Sequence, residues 1–190
     1  MGNKKLSSLV LLSLSSALVL AACGGEGSTA DSSESAGANG SDQVLNLIES
    51  AEIPTMDSVQ ATDTVAFTAL SNVNEGLYRQ GLDGTVELGI AAEDPTVSED
   101  GLVYTFTIRD EANWSNGEPV TAEDFVYSWR KLVDPAEAAS YSYMMAGVIA
   151  NATEIIDGAV APEELGVKAI DEKTLEITLT SPVPYFKDLL

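Results

Sequence analysis

Between Leu102 and Pro135 the residue pattern changes from a period of two to a period near 3.6. That switch constrains the fold more than any other stretch of the 190 residues. Leu102, Tyr104, Phe106 and Ile108 alternate with Val103, Thr105 and Thr107, the spacing of a strand with one face against a core. Trp114-Ser115-Asn116-Gly117 follows, and its Asn-Gly pair is a strong turn signal. Thr121 and Asp124 stand three positions apart, a variant of the capping box that predicts a helix start. Within that helix Phe125, Val126, Trp129, Leu132 and Val133 form one apolar stripe, and Asp134-Pro135 stops it.

The rest of the chain supplies further elements. QVLNLIE (43–49) reads as a first strand, 55–58 as a turn, and Asp63 as the cap of a helix carrying Val65, Phe67, Leu70 and Val73. Short strands are predicted over 85–90 and 96–97, a loose helical patch around Tyr141, Tyr143 and Met144, and a helix over 152–156. Residues 167–170 and 174–180 predict a hairpin, with Leu175, Ile177 and Leu179 facing the core. Pro184 opens a last helix. Strands and helices mix without regular alternation or internal repeat, so the predicted class is α+β: a mixed β-sheet with flanking helices.

Residues 1–22 have the composition of a signal peptide. Lys4 and Lys5 form a short basic region, and the apolar run 6–20 is short for a membrane span. It ends Leu20-Ala21-Ala22-Cys23, a small-residue cleavage site followed by the only cysteine. This resembles a bacterial lipobox, which implies a lipid on the Cys23 thiol and cleavage before it. The alternative is an ordinary secretory signal containing a cysteine. Residues 24–42 hold no large apolar side chain, so they cannot bury surface to offset ordering entropy. Together, 23–42 read as a lipidated cysteine and a disordered Gly/Ser/acidic tether, leaving 43–190 as the folding portion.

Composition excludes several function classes. Nine Lys and Arg against 30 Asp and Glu give a net charge of −21, the wrong footprint for nucleic acid. Histidine is absent and the lone cysteine is assigned to the anchor. No His/Cys metal cage and no Ser-His or Cys-His pair can be assembled. Carboxylate pairs such as Glu123/Asp124 and Glu163/Glu164 lie at helix starts, where the helix dipole favours acids. The residues therefore predict no catalytic site and no cofactor. Asn113-Trp114-Ser115 and Asn151-Ala152-Thr153 match the glycosylation pattern but read as turn and cap residues.

The order of these segments resembles a known family. YTFTIRDEANWSNGEPVTAEDFVYSW (104–129) is similar to the signature of the family 5 bacterial extracellular solute-binding proteins, receptors of oligopeptide and dipeptide ABC importers. EIPTMD (52–57), NEGLYR (74–79), LGVKAIDEKTLEITL (165–179) and SPVPYF (181–186) resemble oligopeptide-binding members in the same order. The likeness implies a two-lobed, type II-like periplasmic binding protein, of which 43–190 would form part of the first lobe. Family members are far longer, so the chain is expected to be an N-terminal portion.

The likeness also implies an oligopeptide ligand enclosed between lobes with its backbone paired strand-fashion, hinged closure around it, permease subunits as partners, and a monomer. It places Tyr141 at a cleft-lining tyrosine, although the family's Ser-Pro-Tyr is Ser140-Tyr141 here, without the proline. It sets Thr62, with Asp63 beside it, where some relatives present a glutamate to the ligand. Trp114 and Trp129 are family marks that read as a turn anchor and a core residue. A departure falls at Glu93-Asp94-Pro95, where the family usually carries a tryptophan. The implied address is the extracytoplasmic face of the cell membrane through the lipid: a Gram-positive outer leaflet, or the periplasm of a Gram-negative cell. The alternatives are a family 5 receptor for a dipeptide, metal chelate, sugar or pheromone, and a surface hydrolase or foldase sharing only the front end.

The lipobox reading has a direct test. A Cys23→Ala protein is expected to lose palmitate labelling and leave the membrane fraction for the medium or periplasm. Unchanged labelling and fractionation would remove Cys23 as the anchor.

Overall fold

The computed structural model describes residues 46–190. In chain order it carries α1 (Thr64–Val73), β1 (Tyr78–Gln80), β2 (Val86–Leu88), β3 (Thr96–Val97), β4 (Val103–Thr107), α2 (Ala122–Val133), α3 (Ala152–Ile156), β5 (Val167–Ala169) and β6 (Thr174–Thr178). Short 3-10 turns occupy Ser142–Met144, Pro162–Glu164 and Phe186–Leu189. From Leu47 onward the chain forms one compact unit. The expected signal peptide, Cys23, the tether and residues 43–45 lie outside the described residues.

The alternation read at 102–108 becomes β4, which pairs antiparallel with both β3 and β6. The sheet order is β3-β4-β6-β5, and β1 and β2 form a separate hairpin. The α+β class holds, and among the described residues every strand ladder is antiparallel. Across the larger sheet Phe106 stands opposite Leu175, and Tyr104 opposite Ile177. Phe106, Leu175 and Ile177 are fully buried. α2 packs over β5 and β6, contributing buried Val126 and Val133 to the same core. A core Phe at such a position removes a large apolar area from water and makes dozens of dispersion contacts.

The local signals in 102–135 form as expected. At the Asn-Gly turn the Gly117 N–H donates to the Trp114 carbonyl at 2.8 Å, and Gly117 takes φ +88°, a conformation that side chains disfavour. Asp124 Oδ2 accepts from the Thr121 N–H at 2.7 Å and from its hydroxyl at 2.9 Å, completing the capping box. The predicted hairpin appears as β5 and β6, with Leu175, Ile177 and Leu179 all buried.

Two expectations change, and one strand was not foreseen. The strand over 43–49 does not form within the described residues: 46–49 join no ladder, and Leu47 and Ile48 are 72% and 98% exposed. Strand propensity yields a strand only where a partner edge exists. The last helix is a single 3-10 turn, Phe186–Leu189, rather than a helix opening at Pro184. Strand β1, Tyr78–Gln80, was not foreseen, because three residues are too few to display a period.

Two ionic contacts fasten the periphery. Lys131 Nζ on α2 donates to Asp57 Oδ2 at 2.7 Å, bracing the turn before α1. At the Glu93-Asp94-Pro95 departure, Asp94 Oδ1 accepts from Lys187 Nζ at 2.7 Å and from the Tyr78 hydroxyl at 3.0 Å. Both bonds hold the Asp94 carboxyl below its ordinary range, Lys187 more strongly, while burial and Asp94 push the Tyr78 phenol up. Beside this clamp Phe186 is buried and meets the Tyr104 ring edge-on at 4.9 Å.

Two measurements test these supports. Phe106→Ala should lower unfolding free energy by about 3–5 kcal/mol, read as a lower denaturant midpoint. The Asp57 carboxyl is held below its ordinary range chiefly by the Lys131 bond and then by the Val59 N–H. A depressed folded-state value gives stabilisation that is present at neutral pH and lost as pH falls through it. Lys131→Met should therefore lose less stability than the parent between neutral pH and about pH 3. An unaltered acid dependence would show that the pair carries no proton linkage.

Candidate functional site

Tyr141 stands at the start of a 3-10 turn, Ser142–Met144, reached through two preceding turns rather than a Ser-Pro-Tyr corner. The Asp134 carboxylate accepts from the Ala136 N–H at 2.9 Å, and Ala138 adopts φ +51°. A non-glycine residue in the left-handed region carries local strain that the surrounding packing must hold. Ala138, three residues before the tyrosine, is the left-handed residue of this approach. The Tyr141 ring lies 5.9 Å from Phe67 and 6.0 Å from Tyr143.

The Tyr141 and Phe67 rings form one side of an apolar groove of about 480 Å³. α1 supplies Phe67, α2 supplies Trp129 and Leu132, the 3-10 turn supplies Met144, and the final residues supply Leu189. The Ser58 and Tyr141 side chains bring hydroxyls to a lining that is otherwise apolar. A groove of this size and polarity suits a ligand held by apolar contact and oriented by a few hydrogen bonds. A second recess of about 460 Å³ surrounds Arg109. That guanidinium is already engaged, donating to the Glu75 carboxylate at 2.6 Å and the Gly89 carbonyl at 2.8 Å.

Of the three residues predicted to meet ligand, Tyr141 lines the groove while Thr62 and Asp63 do not. Thr62 is exposed. The Asp63 carboxylate caps α1, accepting from the Ala66 N–H at 3.0 Å. Asp63 nonetheless fixes the start of the helix whose next turn carries Phe67 to Tyr141. Cys23, the predicted lipid site, lies outside the described residues.

Sequence reasoning missed Phe67, Leu132 and Met144 as lining residues. It read Trp129 as core, and the structure leaves that ring half-buried, edge-on to Phe125 and open to the groove. Trp114 sits at its turn as expected, about half exposed, with its indole N–H 3.4 Å from Asp124 Oδ2. The α1 helix buries Ala66 and Leu70, leaving Phe67 on a flanking face at 42% exposure. A large aromatic one position out of phase with the buried pair was the signal available.

Among the described residues, no cluster of three or more His, Cys, Asp or Glu side chains is placed to hold a metal ion. No helix among them is long and apolar enough to cross a membrane.

Comparison with known proteins adds the context. The chain is 39% identical over 186 residues to the oligopeptide-binding protein OppA of Bacillus subtilis, covering 98% of this chain and 34% of that one. It is 41% identical over 139 residues to a dipeptide-binding protein of Lactococcus lactis, covering 73% of this chain and 25% of the relative. The structure of Listeria monocytogenes OppA bound to peptide superposes with a TM-score of 0.73 at 50% identity, covering 76% of this chain and 28% of that one. The chain therefore spans about a quarter to a third of the length of the relatives it matches. Residues 85–190 match the model for bacterial extracellular solute-binding proteins, family 5 Middle. With the signature at 104–129 folded around the β4–turn–α2 unit, the chain belongs to the family 5 bacterial extracellular solute-binding proteins.

Proposed function

We propose that this chain is the N-terminal part of a receptor that binds oligopeptides outside the cell membrane and hands them to the permease of an ABC importer. The observation that carries the reading is the groove walled by Tyr141, in a chain 50% identical over the matched region to an OppA whose structure holds a peptide. An apolar wall with isolated hydroxyls accepts varied side chains. Main-chain hydrogen bonds from the enclosing receptor then supply sequence-independent affinity. Tyr141 is the wall residue that meets the ligand. Thr62, exposed on the loop before α1, and Asp63, through its cap, act at the margin or through α1. The receptor works as a monomer, tethered through lipidated Cys23, with no cofactor and no catalytic step.

A dipeptide ligand is the second reading, supported by the identity to the Lactococcus lactis dipeptide-binding protein. Nothing in the groove favours a sugar or a metal chelate: its lining is dominated by aromatic, aliphatic and thioether side chains.

The test is a panel of peptides of two to six residues, with dissociation constants measured in a chain extended to the length of its relatives. Peptides of equal length should bind within a narrow range. Blocking the free amino group should cost more than any single side-chain change. A charge left unpaired in a closed cleft costs several kcal/mol, while a side-chain swap in a wet pocket costs about 1 kcal/mol or less. Tyr141→Ala should weaken every peptide to a similar degree. Intact affinities in that variant would assign Tyr141 to packing alone, and binding of dipeptides only would establish the second reading.

A further inference from the structure

Among the described residues there are three methionines, Met56, Met144 and Met145. Two of them are adjacent in sequence yet sit in different surroundings. Met145 is half-buried: it packs against the main core and also lines the groove. Met144 is 50% exposed and faces the groove that Tyr141, Phe67 and Trp129 also line. Its thioether is thus open to small oxidants in solution and also forms part of an apolar surface. Histidine is absent from the sequence and its one cysteine precedes the folded unit, so no imidazole or thiol on the folded unit competes for a two-electron oxidant.

We propose that Met144 is a site of reversible oxidation by hydroperoxides, and that its oxidation state sets the polarity of the groove. In the step, a sulfur lone pair attacks one oxygen of hydrogen peroxide and the O–O bond breaks. The departing hydroxide takes the proton from the oxygen now bound to sulfur, giving methionine sulfoxide and water. Sulfur loses two electrons and the peroxide gains them. The product carries a strong, chiral hydrogen-bond acceptor where a polarisable apolar group stood. Within this groove that acceptor faces rings and aliphatic side chains, so any apolar occupant would leave it without a partner. Met145 lines the same groove but is half-buried, so it undergoes the same chemistry more slowly than the more exposed Met144. Met56 is 49% exposed but does not line the groove, so its oxidation leaves the groove as it was.

The test uses the 190-residue chain, hydrogen peroxide, peptide mapping by mass spectrometry, and the neutral apolar dye N-phenyl-1-naphthylamine as groove probe. Met144 sulfoxide should form at least about fivefold faster than Met145 sulfoxide, in line with access. Dye fluorescence should fall as Met144 oxidises and return after treatment with methionine sulfoxide reductases A and B and dithiothreitol, the dithiol supplying the two electrons that return the sulfoxide to thioether and water. Met144→Leu, a nearly volume-conserving change, should keep dye binding through the same peroxide exposure. Met144→Gln should show weakened dye binding without peroxide. Equal oxidation rates at the two neighbours would overturn the proposal. So would undiminished dye binding by fully Met144-oxidised protein, no dye binding before oxidation, or the same loss in Met144→Leu. No peptide enters the experiment, so its failure would leave the peptide-receptor reading where it stands.

Discussion

The pairing of β4 with β6 is the contact on which the rest of the described structure depends. It joins the strand of the signature segment to a strand some seventy residues later, Phe106 against Leu175 and Tyr104 against Ile177. β3 adds to one side of that pair and β5 to the other, and α2 covers β5 and β6. Long-range pairing of this kind carries a loop-closure cost that local structure does not repay. Burial does repay it, since the paired side chains lie where α2 brings Val126 and Val133. The intervening segment, including Tyr141, is consequently positioned by elements that flank it in sequence and converge in space.

Legibility followed the length and regularity of each signal. The β4–turn–α2 unit and the β5–β6 hairpin were readable because period, turn chemistry and capping agreed over many residues. β1 was not, because a three-residue strand in a hairpin owes its existence to its partner β2 rather than to its own pattern. The strand over 43–49 failed for the complementary reason: a suitable pattern with no edge to join among the described residues. Family likeness reached one groove-lining residue, Tyr141, through the motif around it. Phe67, Leu132 and Met144 escaped because their meaning lies in tertiary juxtaposition: each reads locally as an ordinary apolar helix or loop residue. Asp63 illustrates the opposite limit. Its cap was predicted from sequence, and that hydrogen bond turns the carboxylate to the start of α1, while Asp63 does not line the groove.

The groove and the acidity of the chain answer separate physical demands. The groove is apolar, with its polar character confined to a few hydroxyls and backbone groups. The surplus of 30 acidic over nine basic residues is carried elsewhere, much of it on exposed loops and helix starts. Such a surface keeps an extracytoplasmic chain dispersed through like-charge repulsion without dictating what the groove accepts. An apolar groove and an acidic exterior thus sit on separate parts of the described surface.

The clamp at Asp94 bears on how firmly one wall of that groove is set. Phe186 is held by burial, but Lys187 and its neighbours at the end of the segment are fastened by an ion pair whose carboxylate is 69% exposed. Apolar burial has no charge for salt to screen, whereas an exposed pair weakens as counter-ions crowd in, over a screening length of about 8 Å at physiological ionic strength. The contribution is small, on the order of 1 kcal/mol or less for exposed pairs, so salinity cannot detach the wall. It can change how often the outer turn carrying Leu189 lifts away from the groove. The groove thus has a floor anchored by apolar packing and a rim whose hold on Lys187 weakens as salt rises.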